Sequence, residues 1–257
     1  MLSSYWNSCK TTNMKILIAI IAYNEEKNIA KVLQSLAENN FGYDIVVIDN
    51  GSNDRTVEVC RNMAVEVISH CVNSGSPFGT VMTYFMYAEK KDYDILCQFD
   101  GDGQHLASEL PKIIEPILRN EADYVIGSRF IREEGFQSYF MRRLGIKLFA
   151  YLDSLIIGQK VTDVTSGFRA YGKKTIEFFS KYYKHEIYDT SQLLLLSDSA
   201  GARIKEVPVV MKEREFGTSE FNFLSSILFT LKGLINIVGC ILQRNQIKKF
   251  VNLKNRK

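Results

Sequence analysis

Residues 95–105 read Ile95-Leu96-Cys97-Gln98-Phe99-Asp100-Gly101-Asp102-Gly103-Gln104-His105. A mostly apolar run that ends in two carboxylates predicts a buried strand stopping at a polar site. In open parallel sheets ligands bind beyond the carboxyl ends of the strands, which puts Asp100 and Asp102 at a place where ligands gather. Two carboxylates with only a glycine between them repel unless a cation neutralises them. Their hard oxygens suit Mg²⁺ or Mn²⁺, ions that keep coordination positions for substrate phosphates, and Gln104 could add a neutral oxygen. A polar turn in which the aspartates cap the next helix has the same letters. Placement directly after a buried strand favours the site.

Upstream, the pattern alternates strand and helix. Ile16–Ala22 is a continuous apolar run, as for a strand covered on both faces. Asn24 is expected to cap a helix with Ile29, Val32, Leu33 and Leu36 on its inner face. Ile45–Ile48 forms a second strand ending at Asp49, and Asp54 caps a helix with Val57, Cys60 and Met63 inward. Val65–Ile68 is a third strand, followed by the loop 73–79 and a helix over Val81–Ala88. Downstream come a helix over Ser108–Arg119 and a fifth strand at Tyr124–Ile126. This alternation specifies an α/β fold with a mostly parallel central sheet and helices on both faces.

Three strand ends carry polar loops: Tyr23-Asn24-Glu25, Asp49-Asn50-Gly51-Ser52 and Asp100 to His105. Topology gathers them along one rim. The rest of the chain is less regular. Tyr139–Ile157 predicts a helix stopped by Gly158, Ser191–Ala200 a helix stopped by Gly201, and Ala202–Val210 a strand. Phe221–Leu242 is apolar and long enough to span a bilayer. Lys232 falls inside it, at about 2.5–3.5 kcal/mol for insertion, so a helix on the domain or in the membrane interface is expected instead. The organisation read from these segments is an extension over 1–14, a catalytic domain over 15–220, and an apolar helix with a basic tail over 221–257.

The 257 residues are 46% apolar and 24% charged, which excludes disorder as the general state. Five scattered cysteines without a CxxC pair argue against a disulfide framework or a structural zinc site and point to a reducing compartment. The net charge of +3 conceals a basic tail, Arg244 to Lys257, on a mildly acidic body. That distribution excludes a nucleic-acid partner and suits a solvated tail or an anionic-lipid contact. The first strand is not followed by GxGxxG, which excludes a Rossmann dehydrogenase, nor by the basic glycine-rich loop of a sugar-nucleotide pyrophosphorylase.

Six ordered motifs together resemble one family. They are Tyr23-Asn24-Glu25, Asp49 to Thr56, Asp100 to His105, Gly127-Ser128-Arg129-Phe130, Thr165-Ser166-Gly167-Phe168-Arg169-Ala170 and Arg214-Glu215-Phe216-Gly217-Thr218-Ser219. Over about residues 15–220 the chain is similar to family 2 glycosyltransferases of GT-A fold, in the branch of polyprenyl- or dolichyl-phosphate mannose and glucose synthases. The resemblance implies an inverting transfer of sugar from a nucleotide-diphosphate sugar donor to a polyprenyl-linked acceptor. Such an enzyme serves surface polysaccharide or glycan synthesis, at the inner face of the cytoplasmic membrane, with Mn²⁺ or Mg²⁺. It implies that Tyr23, Glu25 and Asp49 hold the nucleoside, and that Asp100, Asp102 and Gln104 hold the metal and the donor diphosphate. Arg129, Arg143 and Arg214 would bind phosphates, Arg129 acting in catalysis. Asp163 would lie by the acceptor, as general base if that acceptor is a hydroxyl.

The sequence departs from the family pattern at Ile21 (usually proline), Asn50 (aspartate), Ser76 (lysine) and Gln192 (acidic). The last three departures motivate an alternative, a non-catalytic sugar-nucleotide-binding or assembly subunit of the same fold. Retention of Asp100, Asp102, Gln104 and the arginines favours the enzyme.

Overall fold

The computed structural model describes residues 14–73, 77–132, 140–182, 189–216 and 223–254. Residues 1–13 of the N-terminal extension, Ser76, Tyr139, Gly217, Thr218, Ser219 and Phe221 lie outside the described residues. Seven strands form one sheet in the order β3-β2-β1-β4-β6-β5-β7. They are β1 (Ile16–Ala22), β2 (Asp44–Asp49), β3 (Glu66–Ser69), β4 (Ile95–Asp100), β5 (Tyr124–Ser128), β6 (Arg169–Gly172) and β7 (Ile204–Pro208). β6 pairs antiparallel with both of its neighbours; the other pairings are parallel.

Helices cover both faces, as expected. β1 shows why: Leu17, Ala19 and Ile21 enter one hydrophobic core, and Ile16, Ile18, Ile20 and Ala22 enter the other. Period-two side-chain alternation in an entirely apolar strand fills two cores at once. The first core lies under α3 (Val81–Lys90), α5 (Phe140–Ile157), α7 (Thr190–Ser199) and α8 (Phe223–Lys254). The second lies under α1 (Ile29–Asn39), α2 (Thr56–Asn62) and α4 (Leu110–Leu118). The remaining helix, α6 (Lys173–Glu177), follows β6 directly. A fully buried aliphatic side chain contributes about 1.5–3 kcal/mol, so the central strands anchor everything built on their ends.

Several elements differ from the sequence reading. β6 has no strand signature, because it opens with a charged residue, Arg169, yet it lies buried between β4 and β5. Asn24 does not cap α1. It adopts φ 53°, and its Oδ1 accepts the Asn53 amide at 2.9 Å. The helix begins at Ile29, after the amides of Asn28 and Ile29 have turned onto the Glu25 carbonyl. The residues after β1 are thus spent on pairing with the loop after β2. Met63, expected inward, is exposed because α2 has already ended at Asn62. The basic stretch after Leu242 continues α8 through Lys254. Arg244 within it pairs with Asp198 at 2.9 Å and donates to the Ile156 carbonyl, so it fastens the helix to the domain. Among the described residues no helix is long and apolar enough to cross a membrane.

Candidate active site

The carboxyl ends of β1, β2 and β4 lie side by side. In register, Ile21 faces Asp100 and Ala22 faces Asp49. The Gly101 amide donates to the Ile21 carbonyl at 2.8 Å, and the Asn50 amide to the Ala22 carbonyl at 2.9 Å. The loops after β1 and β2 are then laced residue by residue. The Asn24 amide donates to Ser52 Oγ (2.9 Å), the Glu25 amide to Thr56 Oγ1 (2.8 Å) and the Glu26 amide to Asp54 Oδ2 (3.1 Å). Buried Asp49 accepts the Ser52 amide at 3.1 Å, and Tyr23 is half-buried at the end of β1. Gly51 sits at φ +74° so close to the Val72 backbone that a Cβ would come within 2.6 Å of it.

Asp100 and Asp102 project from the end of β4. Burial pushes the Asp100 carboxyl up to about 6, against the pull of Arg214, Arg129 and Arg169. Burial also raises Asp102, and the neighbouring Asp100 charge adds to the shift. The part that Asp100 adds to Asp102 is the like-charge repulsion of neighbouring carboxylates. A Cβ on Gly167 would stand 2.8 Å from Asp100 Oδ2, so only glycine lets that loop approach. Among the described residues no three His, Cys, Asp or Glu side chains converge to enclose a metal.

His105 received no role from the sequence, yet it orients Asp100. Its Nδ1 accepts the Asp100 amide at 3.0 Å, which places the proton of the neutral ring on Nε2, 3.5 Å from Asp100 Oδ2. Burial lowers its pKa to about 4, and the ring stacks on Phe168 with centroids 4.7 Å apart. Gln104 donates its amide to Asp102 Oδ1 at 3.0 Å, while its side chain donates to the Lys212 carbonyl at 3.4 Å.

Opposite these loops lies a second group of charges. Asp163, wholly buried, receives Arg129 Nε at 2.7 Å and Nη2 at 2.8 Å, and Arg129 also reaches Thr165 Oγ1 at 3.0 Å. Glu206 on β7 fixes the backbone beneath, accepting the amides of Asp163 (2.7 Å) and Thr162 (2.9 Å). Buried Arg169 donates to the carbonyls of Val164 and Ser166, each at 2.6 Å, and of Thr190 at 3.0 Å. It thereby shapes the 163–167 turn that carries Gly167 to Asp100. The guanidinium carbons of Arg129 and Arg143 lie 5.3 and 5.8 Å from the Phe130 ring centroid. Arg214 closes the circle: its Nη2 pairs with Glu25 Oε1, and its Nε lies 3.7 Å from Asp102 Oδ2. Glu25 is buried, which raises its pKa, and its other oxygen accepts Asn28 Nδ2 at 2.6 Å.

Of the residues singled out in the sequence, Arg214 thus bridges Glu25 and Asp102, and Asp100 stands beside them at the end of β4. Asp163 and Arg129 form a neighbouring pair, and Asp49 and Tyr23 line the adjoining strand ends. His105, Gly167, Arg169 and Glu206 were not assigned. The first three stand inside quoted motifs, whereas nothing in the sequence around Glu206 signals its task.

The profile described as glycosyl transferase family 2 matches residues 17–179. The chain is similar to the UDP-N-acetylglucosamine–dolichyl-phosphate N-acetylglucosaminyltransferase of Methanococcus voltae, 30% identical over 213 residues, covering 76% of this chain and 84% of that one. It is similar to the undecaprenyl-phosphate mannosyltransferase of Micrococcus luteus, 30% identical over 223 residues, covering 81% and 88%. Among solved structures it resembles glucosyl-3-phosphoglycerate synthase of Mycobacterium tuberculosis in complex with Mn²⁺ and UDP-glucose. There the TM-score is 0.67 at 16% identity, over 92% of this chain and 82% of that one, a likeness that shows the GT-A fold.

Proposed function

The chain belongs to glycosyl transferase family 2, and from that premise we propose that it moves a sugar, with inversion, from a nucleotide-diphosphate sugar to a polyprenyl-linked phosphate. The observation that carries this reading is the placing of Asp100 and Asp102 at the carboxyl end of β4, with Arg214 bridging Asp102 to Glu25 at the end of β1. The names of the two relatives support a lipid-phosphate acceptor. In this reading residues 15–220 are the catalytic unit, whose α5 shares the membrane-facing surface with 221–257.

Tyr23, Glu25 and Asp49 hold the nucleoside on the ends of β1 and β2. Asp100 and Asp102, with Gln104 as the candidate third ligand, fit a divalent ion. They offer hard oxygens of the kind such ions prefer, and Gly167 keeps the 163–167 turn from pressing a side chain onto Asp100. Bound there, Mn²⁺ or Mg²⁺ supplies positive charge to a departing diphosphate. Arg129, Arg143 and Arg214 hold the donor and acceptor phosphates. One acceptor oxygen forms the bond to the anomeric carbon from the face opposite the diphosphate, and the bond to the diphosphate oxygen breaks, so configuration inverts. A phosphate oxygen is already anionic and needs no base. Both Asp163 oxygens are taken by Arg129, which suits a carboxylate that aims a guanidinium.

The membrane contact is read from two neighbouring helices. On α5, Leu148, Tyr151 and Leu155 are exposed at helical spacing; on α8, Ile235, Val238, Ile241 and Leu242 are exposed. The helices are joined where Phe149 fills the space over Gly233 and where Arg244 reaches the Ile156 carbonyl. Exposed Lys147, Lys232, Lys248 and Lys249 flank these apolar faces. Apolar stripes bordered by lysines suit an anionic bilayer surface on the cytoplasmic side.

The test is transfer of radiolabelled sugar from a panel of nucleotide sugars to polyprenyl phosphate with Mn²⁺. Wild type should form a lipid-linked product and Asp102→Ala should form none. Absence of product with every common nucleotide sugar would overturn the proposal.

A further inference from the structure

Segment 211–216 crosses the site and is tied to both sides of it. Toward β4, the Lys212 amide donates to the Gln104 carbonyl at 2.9 Å, Gln104 Nε2 donates back to the Lys212 carbonyl at 3.4 Å, and Met211 bridges to His105. Toward α1, Lys31 pairs with Glu215 at 2.6 Å and stands 5.0 Å from the Phe216 ring centroid. Asn28 Nδ2 donates to the Phe216 carbonyl at 3.2 Å. Between these anchors Arg214 spans the gap, with Nη2 on Glu25 and Nε 3.7 Å from Asp102 Oδ2.

The Asp102 half of that bridge is electrostatic only. Arg214 Nε is buried without a hydrogen-bond partner, and 3.7 Å is too long for an N–H···O bond. A buried donor left unmatched is costly, so this is a position the guanidinium holds by charge and not by fit. Asp102 is also the carboxylate that the proposed function gives to the divalent ion. Two cations cannot both settle on one carboxylate without strong mutual repulsion. A guanidinium, in contrast, matches a phosphate with parallel N–H donors.

We infer that Arg214 is a placeholder for the divalent cation: it neutralises Asp102 and Glu25 while the site is metal-free, and it passes to the diphosphate when metal and nucleotide enter together. The inference rests on the reading that Asp100 and Asp102 hold the ion. It makes the chain discriminate against metal alone and in favour of metal with nucleotide, because only the nucleotide offers Arg214 a new partner. Arg214 is one of the ties that hold segment 211–216 across the site, so its passage to the diphosphate loosens that segment on the β4 loop.

The experiment is a Mn²⁺ titration of the full chain, with free Mn²⁺ read by electron paramagnetic resonance, in the presence and absence of UDP. Without UDP, Arg214→Ala should bind Mn²⁺ three- to tenfold more tightly than wild type. With UDP the order should reverse. In parallel, hydrogen exchange at the Lys212 amide of wild type should quicken on adding MnCl₂ with UDP, and stay unchanged with MnCl₂ alone. Equal or weaker Mn²⁺ binding by Arg214→Ala without UDP, or a Lys212 amide that stays protected with both ligands, would overturn the inference alone, provided Asp102→Ala has lost Mn²⁺. If Asp102→Ala binds Mn²⁺ as wild type does, the metal reading falls and the inference falls with it.

Discussion

Arg129 and Asp163 form a two-pronged ion pair in a place almost without solvent. Asp163 is wholly buried, both its oxygens accept guanidinium N–H groups at 2.7 and 2.8 Å, and its Oδ2 also accepts the Arg129 amide at 3.2 Å. The two residues lie 34 positions apart and belong to different loops, so the pair sets how the end of β5 meets the turn before β6.

Removing one member strands the other charge. Asp163→Ala should lose about 3–5 kcal/mol of stability, the usual cost of breaking a buried pair from one side. A combined Arg129→Met, Asp163→Leu variant should recover much of that loss while remaining inactive. Urea unfolding of both variants checks this, and an Asp163→Ala variant as stable as wild type would refute the buried-pair account.

Gly167→Ala places a methyl 2.8 Å from Asp100 Oδ2 and 3.2 Å from Oδ1. The expected result is at least a tenfold loss of affinity for Mn²⁺ with UDP, about 1.4 kcal/mol, with the melting temperature little changed. Calorimetry of the ternary mixture measures it. Unaltered affinity would mean that the space above Asp100 is not where the ligand sits.

Asp153 on α5 is wholly buried, and neither of its oxygens has a hydrogen-bond partner among the described residues. Burial pushes its carboxyl up to about 7, and the nearby Asp189 carboxylate adds to the shift. A carboxyl raised in the folded state favours unfolding wherever the unfolded chain has lost its proton, from about pH 4 upward. The cost grows as pH rises toward the folded value and is complete above about 7. Asp153→Asn should therefore gain stability over wild type between pH 5 and 8, by up to roughly 3 kcal/mol. Thermal melts at several pH values test it; a constant difference across that range would show that Asp153 does not titrate in the folded chain.

Exchanging Tyr151 and Leu155 for serine, or Ile235 and Leu242, removes exposed apolar surface without touching either core. Each pair should lower partition onto vesicles containing phosphatidylglycerol by at least tenfold, since a buried aliphatic side chain contributes about 1.5–3 kcal/mol. Binding of Mn²⁺ with UDP should be unaffected. Sedimentation with vesicles reports the outcome, and unchanged partition would move the lipid contact elsewhere.

The sequence alone determined the parallel strands β1, β2 and β4 and the polar rim at their ends. Apolar runs such as Ile16–Ala22 and the polar residues that end them are local patterns, and burial on both faces leaves a strand few other readings. For the same reason the sequence pattern is enough to set Asp49, Asp100 and Asp102 on one edge. What only the tertiary structure decided is which charges meet. Arg214 reaches Glu25 across 189 positions, Glu206 secures Asp163 across 43, and β6 enters the sheet behind a charged residue whose side chain is satisfied by carbonyls from two other segments. Such contacts follow from the spatial order of the strands, 3-2-1-4-6-5-7, and not from chain order. Periodicity reports the face a residue presents; the partner on that face is fixed by the packing of distant segments.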